Sequence, residues 1–408
     1  MALPFTIQTE SAVRGYLPPF KSSAGNFYAV VRATSGIEAG RAVDVFKASD
    51  PSVSWAVQDP GNNPVLGPSD KFNQITAVQE GDLLHIATRV TGGSYTYHTF
   101  NMADDTWGVV NELIETPTNL PTQFWISIAV RSDGDVVVVY NGDTDQVMGG
   151  KKERVDANVR DFGTGLWGGA IALDAAGDNH YGNPNVIKGP LTDDMHCLWQ
   201  TTANTTDPPN SWMGIEARTL RPDDSLSTVD TDPADSGSAL LGIANLVSYD
   251  DGGTQRIIAN AAPDASGFNV NTFLGSEDGS DDIQLATTAT ESIGENVRIN
   301  GELQVASLAE VSGVLHWLFS NAAQQDLYYI TSTDDGASWT TPAEEINFVD
   351  VRFISANIYT RGGDTVLAYV YDDGGDQKYN EKVLIAGVTG VPPKNLSALQ
   401  AVHRMGHY

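Results

Sequence analysis

The stretch Ile126-Ser127-Ile128-Ala129-Val130-Arg131-Ser132-Asp133-Gly134-Asp135-Val136-Val137-Val138-Val139-Tyr140 decides the fold. Two short apolar runs flank a tight polar turn. Val and Ile suit a pleated surface and lose rotamer freedom in a helix. Runs of about five or six residues between turn residues have the length of strands, not helices. Asp133 and Gly134 offer the positive φ that a hairpin turn demands. The unit reads as an antiparallel hairpin.

The same unit recurs along the chain. Seven apolar runs stand out: Tyr28–Ala33, Leu83–Val90, Asp135–Tyr140, His196–Thr201, Arg256–Ala261, Val314–Ser320 and Thr365–Tyr371. Their starts are separated by 51 to 61 residues. Most follow another apolar stretch and a turn, as in Ile354–Tyr359 with Arg361-Gly362-Gly363, or Leu246–Tyr249 with Asp250-Asp251-Gly252-Gly253. A period of this size, filling 408 residues almost end to end, is one supersecondary unit repeated. About four strands per repeat make a blade, so the expectation is an all-β, seven-bladed β-propeller. Six blades with irregular end segments is the alternative architecture. The strand-like segment Phe5–Thr9 precedes the first full repeat and is expected to close the last blade. Residues 1–390 read as one domain. From Val391 to Tyr408 the spacing of Leu396, Leu399, Val402 and Met405 after Pro392-Pro393 predicts a short helix capped by Asn395 or Ser397. That tail either packs on its own propeller or docks on a partner.

Composition narrows the function classes. The chain has 23 Lys and Arg against 52 Asp and Glu, a net charge of −29, which argues against nucleic acid as a partner. Lys151, Lys152 and Arg154 beside Gly149-Gly150 read as a solvated turn. Cys197 stands alone, so no intramolecular disulfide forms, and its apolar run makes it a buried, inert thiol. No apolar run approaches about 18 residues, so no membrane insertion is expected. The N-terminus shows neither a basic stretch nor a long apolar one, so no secretory signal is read there. His85, His196 and His316 share one local pattern. They are expected at equivalent structural positions on separate repeats rather than around a metal. The Asp-rich turns (Asn141, Asp143 and Asp145; Ser276–Asp282; Asp372–Asp376) lack the spacing of an EF-hand and read as solvated turns. No cofactor is expected, structural calcium being the one the turns would admit.

In the sixth repeat the chain reads Ser332-Thr333-Asp334-Asp335-Gly336-Ala337-Ser338-Trp339. This resembles the Asp-box, Ser-x-Asp-x-Gly-x-x-Trp, of the sialidase-like (BNR-repeat) β-propeller superfamily. Ser332, Asp334, Gly336 and Trp339 are its structural residues. The Asp and Ser satisfy backbone donors, the Gly allows the turn, and the Trp packs between strands. Asp50-Pro51-Ser52-Val53-Ser54-Trp55 is a partial copy without the Gly, and Trp107 and Trp167 end comparable segments. The resemblance implies the fold and leaves the activity open, because such boxes lie away from the active site.

A sialidase resemblance implies an arginine triad and a Tyr nucleophile. Arg298, Arg352 and Arg361 with Tyr359 are the available set, but Leu17-Pro18-Pro19-Phe20 holds no early Arg. The stretch Asp178-Asn179-His180-Tyr181-Gly182-Asn183-Pro184 is similar to the Asp-x-His stretch of some BNR-type polysaccharide lyases. That resemblance implies proton transfer at a uronic acid by His180 and Tyr181, from a loop ahead of the fourth repeat. Carboxylate pairs for glycoside hydrolysis are not identifiable from spacing. The expectation is a non-catalytic propeller that binds a glycan or a protein in a larger assembly, as a structural or receptor-binding part of a phage virion or in an extracellular setting. Trp125, Tyr95 and Tyr97, with Tyr181, are its candidate sugar-stacking faces. A polysaccharide lyase or glycoside hydrolase is the alternative.

Overall fold

The computed structural model describes residues 4–9, 17–32, 43–64, 75–90, 93–117, 125–142, 154–174, 180–202, 214–231, 240–263, 269–277, 282–292, 306–321, 326–346, 354–373 and 376–386. Its described strands form seven antiparallel sheets, six of four strands and one widened by a fifth, two-residue strand. The chain is a β-propeller. Among the described residues there is no helix, and so none long and apolar enough to cross a membrane. The tail from Val391 to Tyr408 lies outside the described residues.

Each of the seven apolar runs supplies the second strand of one sheet: Phe27–Arg32, Leu83–Arg89, Val136–Asn141, Met195–Thr202, Thr254–Pro263, Val314–Ser320 and Asp364–Asp373. The reason is burial on both faces. All six residues of Val136–Asn141 are buried. Val137 and Val139 pack toward the fourth sheet, and Val136, Val138 and Tyr140 toward the second. Each such valine contributes about 1.5–3 kcal/mol of burial. The hairpin ahead of it forms as its residues dictate: Gly134 takes φ 95°, and Asp133 Oδ1 accepts from Asp135 N at 3.0 Å.

Seven apolar clusters fill the seven gaps between neighbouring sheets. One joins the seventh sheet to the first, through Tyr359, Val366, Ala368 and Val370 against Phe27, Ala29 and Val31, which closes the ring. The N-terminal strand Phe5–Thr9 pairs with Asp376–Ile385, so the chain's first strand is the outer strand of the seventh sheet. Ile7 adds its side chain to the closing cluster. The first strands of sheets two to seven touch one another in order and form the inner wall.

Topology sorts the connections by end. Turns between first and second strands, and between third and fourth strands, share one end of the ring, here called the turn end. The opposite, loop end carries the connections between second and third strands and between sheets, which lie largely outside the described residues.

A recurring device ties the turn end together. Asp105, Asp224 and Asp335 sit in third-to-fourth-strand turns with φ of 62°, 62° and 56°. Each accepts from the preceding sheet. Asp105 receives Tyr28 Oη at 2.7 Å and Lys47 Nζ at 2.5 Å. Asp224 receives Arg131 Nη1 at 3.2 Å. Asp335 receives Tyr249 Oη, with Arg256 Nε at 3.6 Å. Asp tolerates the left-handed region and presents a charged acceptor there.

The Ser332–Trp339 turn is held as its residues predict. Ser332 Oγ donates to Asp334 Oδ1 at 2.8 Å and accepts from Gly336 N at 2.9 Å. Asp334 also receives Ser338 N at 2.9 Å and Ser338 Oγ at 2.6 Å. Gly336 takes φ 83°, and Trp339 lies 5.6 Å from Trp317. In the partial copy Asp50 receives Ser52 N and Oγ, and Trp55 packs on Tyr379 at 5.4 Å.

Candidate functional site: a cavity in the inner wall

The first sheet has a defective inner strand. Pro18 and Pro19 carry no backbone N–H and fix φ, so pairing is limited to Phe20 with Tyr28 and Lys21 with Phe27. Its neighbours run further, as Ile75–Glu80 and Ile354–Arg361. A cavity of about 570 Å³ lies between these three strands at the turn end. Pro18, Phe20, Ala77, Val78 and Ile358 give it apolar walls; Lys21, Gln79, Asp82, Asn357 and Tyr359 supply polar groups.

Most of those polar groups are committed to one another. Gln79 Nε2 donates to Lys21 O and Gly81 O, both at 2.7 Å, and Oε1 accepts from Lys21 N at 3.4 Å. Asp82 receives Ser23 N at 2.6 Å on one oxygen and Ser23 Oγ on the other. Asn357 Nδ2 reaches Pro19 O at 3.5 Å, and its Oδ1 accepts from Ile358 N at 2.8 Å. Lys21 retains donor capacity. Lys21 Nζ donates to Thr360 O and stands 5.4 Å over the Phe27 ring, with no carboxylate of the described residues in ion-pair range. Burial, then the Arg361 charge, lowers the Lys21 pKa, while the Glu381 charge opposes this. Tyr359 is 9% exposed, and its Oη is sealed from solvent. Burial raises its pKa well above the phenol range.

The residues singled out in the sequence fall elsewhere. Tyr95, Tyr97 and Trp125 are not exposed stacking faces but buried, at 0%, 1% and 7%. Both faces of the second sheet are covered, so its aromatics serve the core. Tyr95 Oη donates to Asn141 O at 2.8 Å, and its ring lies 4.7 Å from Tyr140. Tyr97 packs edge-on to Trp167 at 5.5 Å, and its hydroxyl meets His85 Nδ1 at 2.7 Å. His180 and Tyr181 do not belong to a loop. They open the strand His180–Lys188 at the loop end, opposite Thr202 and Thr201. Their side chains, with Asp178 and Asn179, lie outside the described residues.

His85, His196 and His316 take equivalent places on three second strands, and each Nδ1 meets a third-strand hydroxyl: Tyr97, Thr219 and Tyr329. Among the described residues no three His, Cys, Asp or Glu side chains group as a metal set. Arg298, Arg352, Asp143 and Asp145 lie outside the described residues, as do Lys151 and Lys152. Arg361 is spent on Glu381 at 2.6 Å and Asp50 at 3.0 Å.

One feature of the loop end escaped the sequence. Asp156 and Asp174 are 4% and 9% exposed. Asp156 Oδ1 is 2.8 Å from Arg154 Nη2, and a Cβ on Gly142 would sit 1.7 Å from Asp156 Oδ2. Asp174 is pushed up to about 7 by burial and then by the charge of Asp156. No local spacing links these two aspartates. The cavity had one legible signal, the Pro18-Pro19 pair that breaks the first inner strand.

No protein-family model matches the chain, and no curated protein matches it. Solved structures do resemble it. An α-L-arabinofuranosidase from Fusarium graminearum is 10% identical over 93% of this chain and 98% of its own, with a TM-score of 0.49. The Aleuria aurantia lectin is 10% identical over 98% and 97%, with a TM-score of 0.43. A Hadza microbial sialidase is 13% identical over 75% of this chain and 65% of its own, with a TM-score of 0.44.

Proposed function

We propose that this chain is a non-catalytic, glycan-binding β-propeller, and that the cavity of the seventh, first and second sheets is its binding site. One observation carries the reading. The cavity offers apolar walls, spare hydrogen-bonding groups and a single carboxylate, Asp82, whose two oxygens are both engaged by Ser23. Apolar surface with a few placed polar groups suits a sugar ring, which has a C–H face and a hydroxyl rim. Hydrolysis by paired carboxylates requires a second acid that this cavity lacks among its lining residues. The Ser332–Trp339 turn is read as an Asp-box of the sialidase-like superfamily, with a structural role. A glycan array, followed by calorimetry on the hits, tests the proposal. Saturable binding that is lost in Ile358→Arg, a variant that fills the cavity with a charged chain, is the expected result. Binding unaffected by that variant places the site elsewhere. A receptor-binding part in a phage virion extends the same reading, and mass spectrometry of purified particles tests it.

A second reading, polysaccharide cleavage, is favoured by Asp156 and Asp174. Burial beside the Asp156 charge holds Asp174 above the usual carboxylate range, as a general acid requires. Release of reducing ends from a polysaccharide panel, abolished in Asp174→Asn, is its signature. New unsaturated uronates, lost in His180→Ala and Tyr181→Phe, would instead mark a lyase.

A further inference from the structure

We infer that the turn end of the third and fourth sheets is a docking surface for a protein partner, whose segment presents an apolar side chain among lysines and arginines. The surface departs from the pattern of its neighbours. At three of the corresponding third-to-fourth-strand turns the tips are Asp104-Asp105, Asp223-Asp224 and Asp334-Asp335. In the third sheet the turn reads Asp161-Phe162-Gly163-Thr164-Gly165-Leu166, and Phe162 and Leu166 are 65% and 69% exposed. Leu191, 48% exposed, stands in the adjoining turn of the fourth sheet, which Asp193 ties to the third sheet by accepting from Ser132 N at 2.8 Å. Single exposed apolar residues are ordinary. Three on adjoining turns, two of them the most exposed large apolar side chains among the described residues, mark an interaction site.

The exposed side chains are held, not slack. Asp161 Oδ1 accepts from Thr164 N at 2.5 Å, Gly165 N donates to Asp161 O at 2.8 Å, and Asp161 N donates to Leu166 O at 3.0 Å. Phe162 N donates to Asp135 Oδ1 at 2.8 Å, and its ring lies against Gly134, where a Cβ would come within 2.8 Å of ring carbons. Little conformational freedom is therefore lost here when a partner binds. The surrounding charge selects that partner. Asp133, Asp161 and Asp223 are exposed at the same end, with no cation of the described residues in ion-pair range. The nearby cations are spent, Lys188 on Asp193, Arg160 on Glu112 and Arg221 on Asp282. A second copy would bring the same carboxylates and a further charge of −29 against them. A segment bearing Lys or Arg beside its apolar anchor meets complementary charge instead. The cavity lining contains none of these residues, so docking here is independent of glycan binding.

Selection from a displayed library of random short peptides on the immobilised full-length protein tests this. Enriched peptides are expected to carry Lys or Arg beside Phe, Trp or Leu. Synthetic copies should bind in solution and lose about tenfold in affinity for the double variant Phe162→Ser, Leu166→Ser, with thermal melts confirming its fold. Their binding should also weaken in Asp161→Asn and as the salt concentration rises. Absence of any enriched peptide, enrichment of uncharged or acidic ones, or equal affinity for the double variant overturns the assignment. A concentration-dependent dimer in sedimentation that vanishes in the double variant overturns it in favour of a second copy of this chain. Glycan affinity should be the same in the wild type and the double variant, whichever way the docking test falls.

Discussion

Arg131 Nη1 stands 3.2 Å from Asp224 Oδ1, and the arginine that reaches across from the third sheet to the fourth is 1% exposed. Its other terminal nitrogen donates to Arg221 O at 2.6 Å. Arg131→Met would leave that turn without its charged donor. A loss of about 2–3 kcal/mol in unfolding free energy is expected by urea denaturation. Arg131→Lys should recover only part, because an ammonium cannot serve both acceptors with a planar fork. Full recovery by lysine would show that charge alone, not geometry, holds the turn.

The Ser332–Trp339 turn makes a separate prediction. Asp334→Ala removes the acceptor for Ser332 Oγ, Ser338 N and Ser338 Oγ, and should cost about 1–2 kcal/mol. Gly336→Ala forces a side chain onto φ 83° and should cost about 1 kcal/mol. Neither residue lines the cavity, so glycan affinity should be unchanged in both. A drop in affinity with unchanged stability would give this turn a part in binding.

Asp174 links stability to pH. Its folded pKa, about 7, lies above its ordinary 3.8, so the folded state holds a proton that the unfolded chain releases. Its contribution is complete below about pH 4 and is lost as the pH rises through about 7. Thermal melts across that window should show the wild type losing stability as the pH rises. Asp174→Asn should flatten the curve and be the more stable protein at about pH 8. Parallel curves for the two proteins would rule out Asp174 as the titrating group.

Cys197 is fully buried, and burial pushes its thiol up to about 12. The thiolate is the reactive form, so an aromatic disulfide reagent should not react with the native protein. One thiol should appear only in denaturant. Rapid reaction in native buffer would mean that the interface between the third and fourth sheets opens.

The repeat was legible because the second strand of each sheet is covered on both faces. Such a strand is apolar at consecutive positions, as in Val136–Val139, and survives as a signal without any alternation. Outer strands such as Ala56–Val57 and Ile171–Ala172 hold only two residues, too few for any pattern. The aromatics misled for the same reason that the valines helped. Tyr95 and Tyr97 lie on a third strand whose faces are both buried, so Tyr-Thr-Tyr-His reads as amphipathic when it is not. Of the cavity, only the Pro18-Pro19 break in the first inner strand was legible. Lys21 and Tyr359 belong to the first and last sheets, and only ring closure brings them to one wall.

Ring closure also decides how the molecule comes apart. In an open stack of sheets the terminal unit can fray, since it gives up one contact surface and leaves the rest intact. A closed ring has no terminal unit. Detaching the seventh sheet would bare the apolar faces of both the sixth and the first, through Leu318 and Leu327 on one side and Phe27 and Ala29 on the other. Partial opening therefore exposes two surfaces for each sheet released, which makes unfolding an all-or-none event for the whole circle.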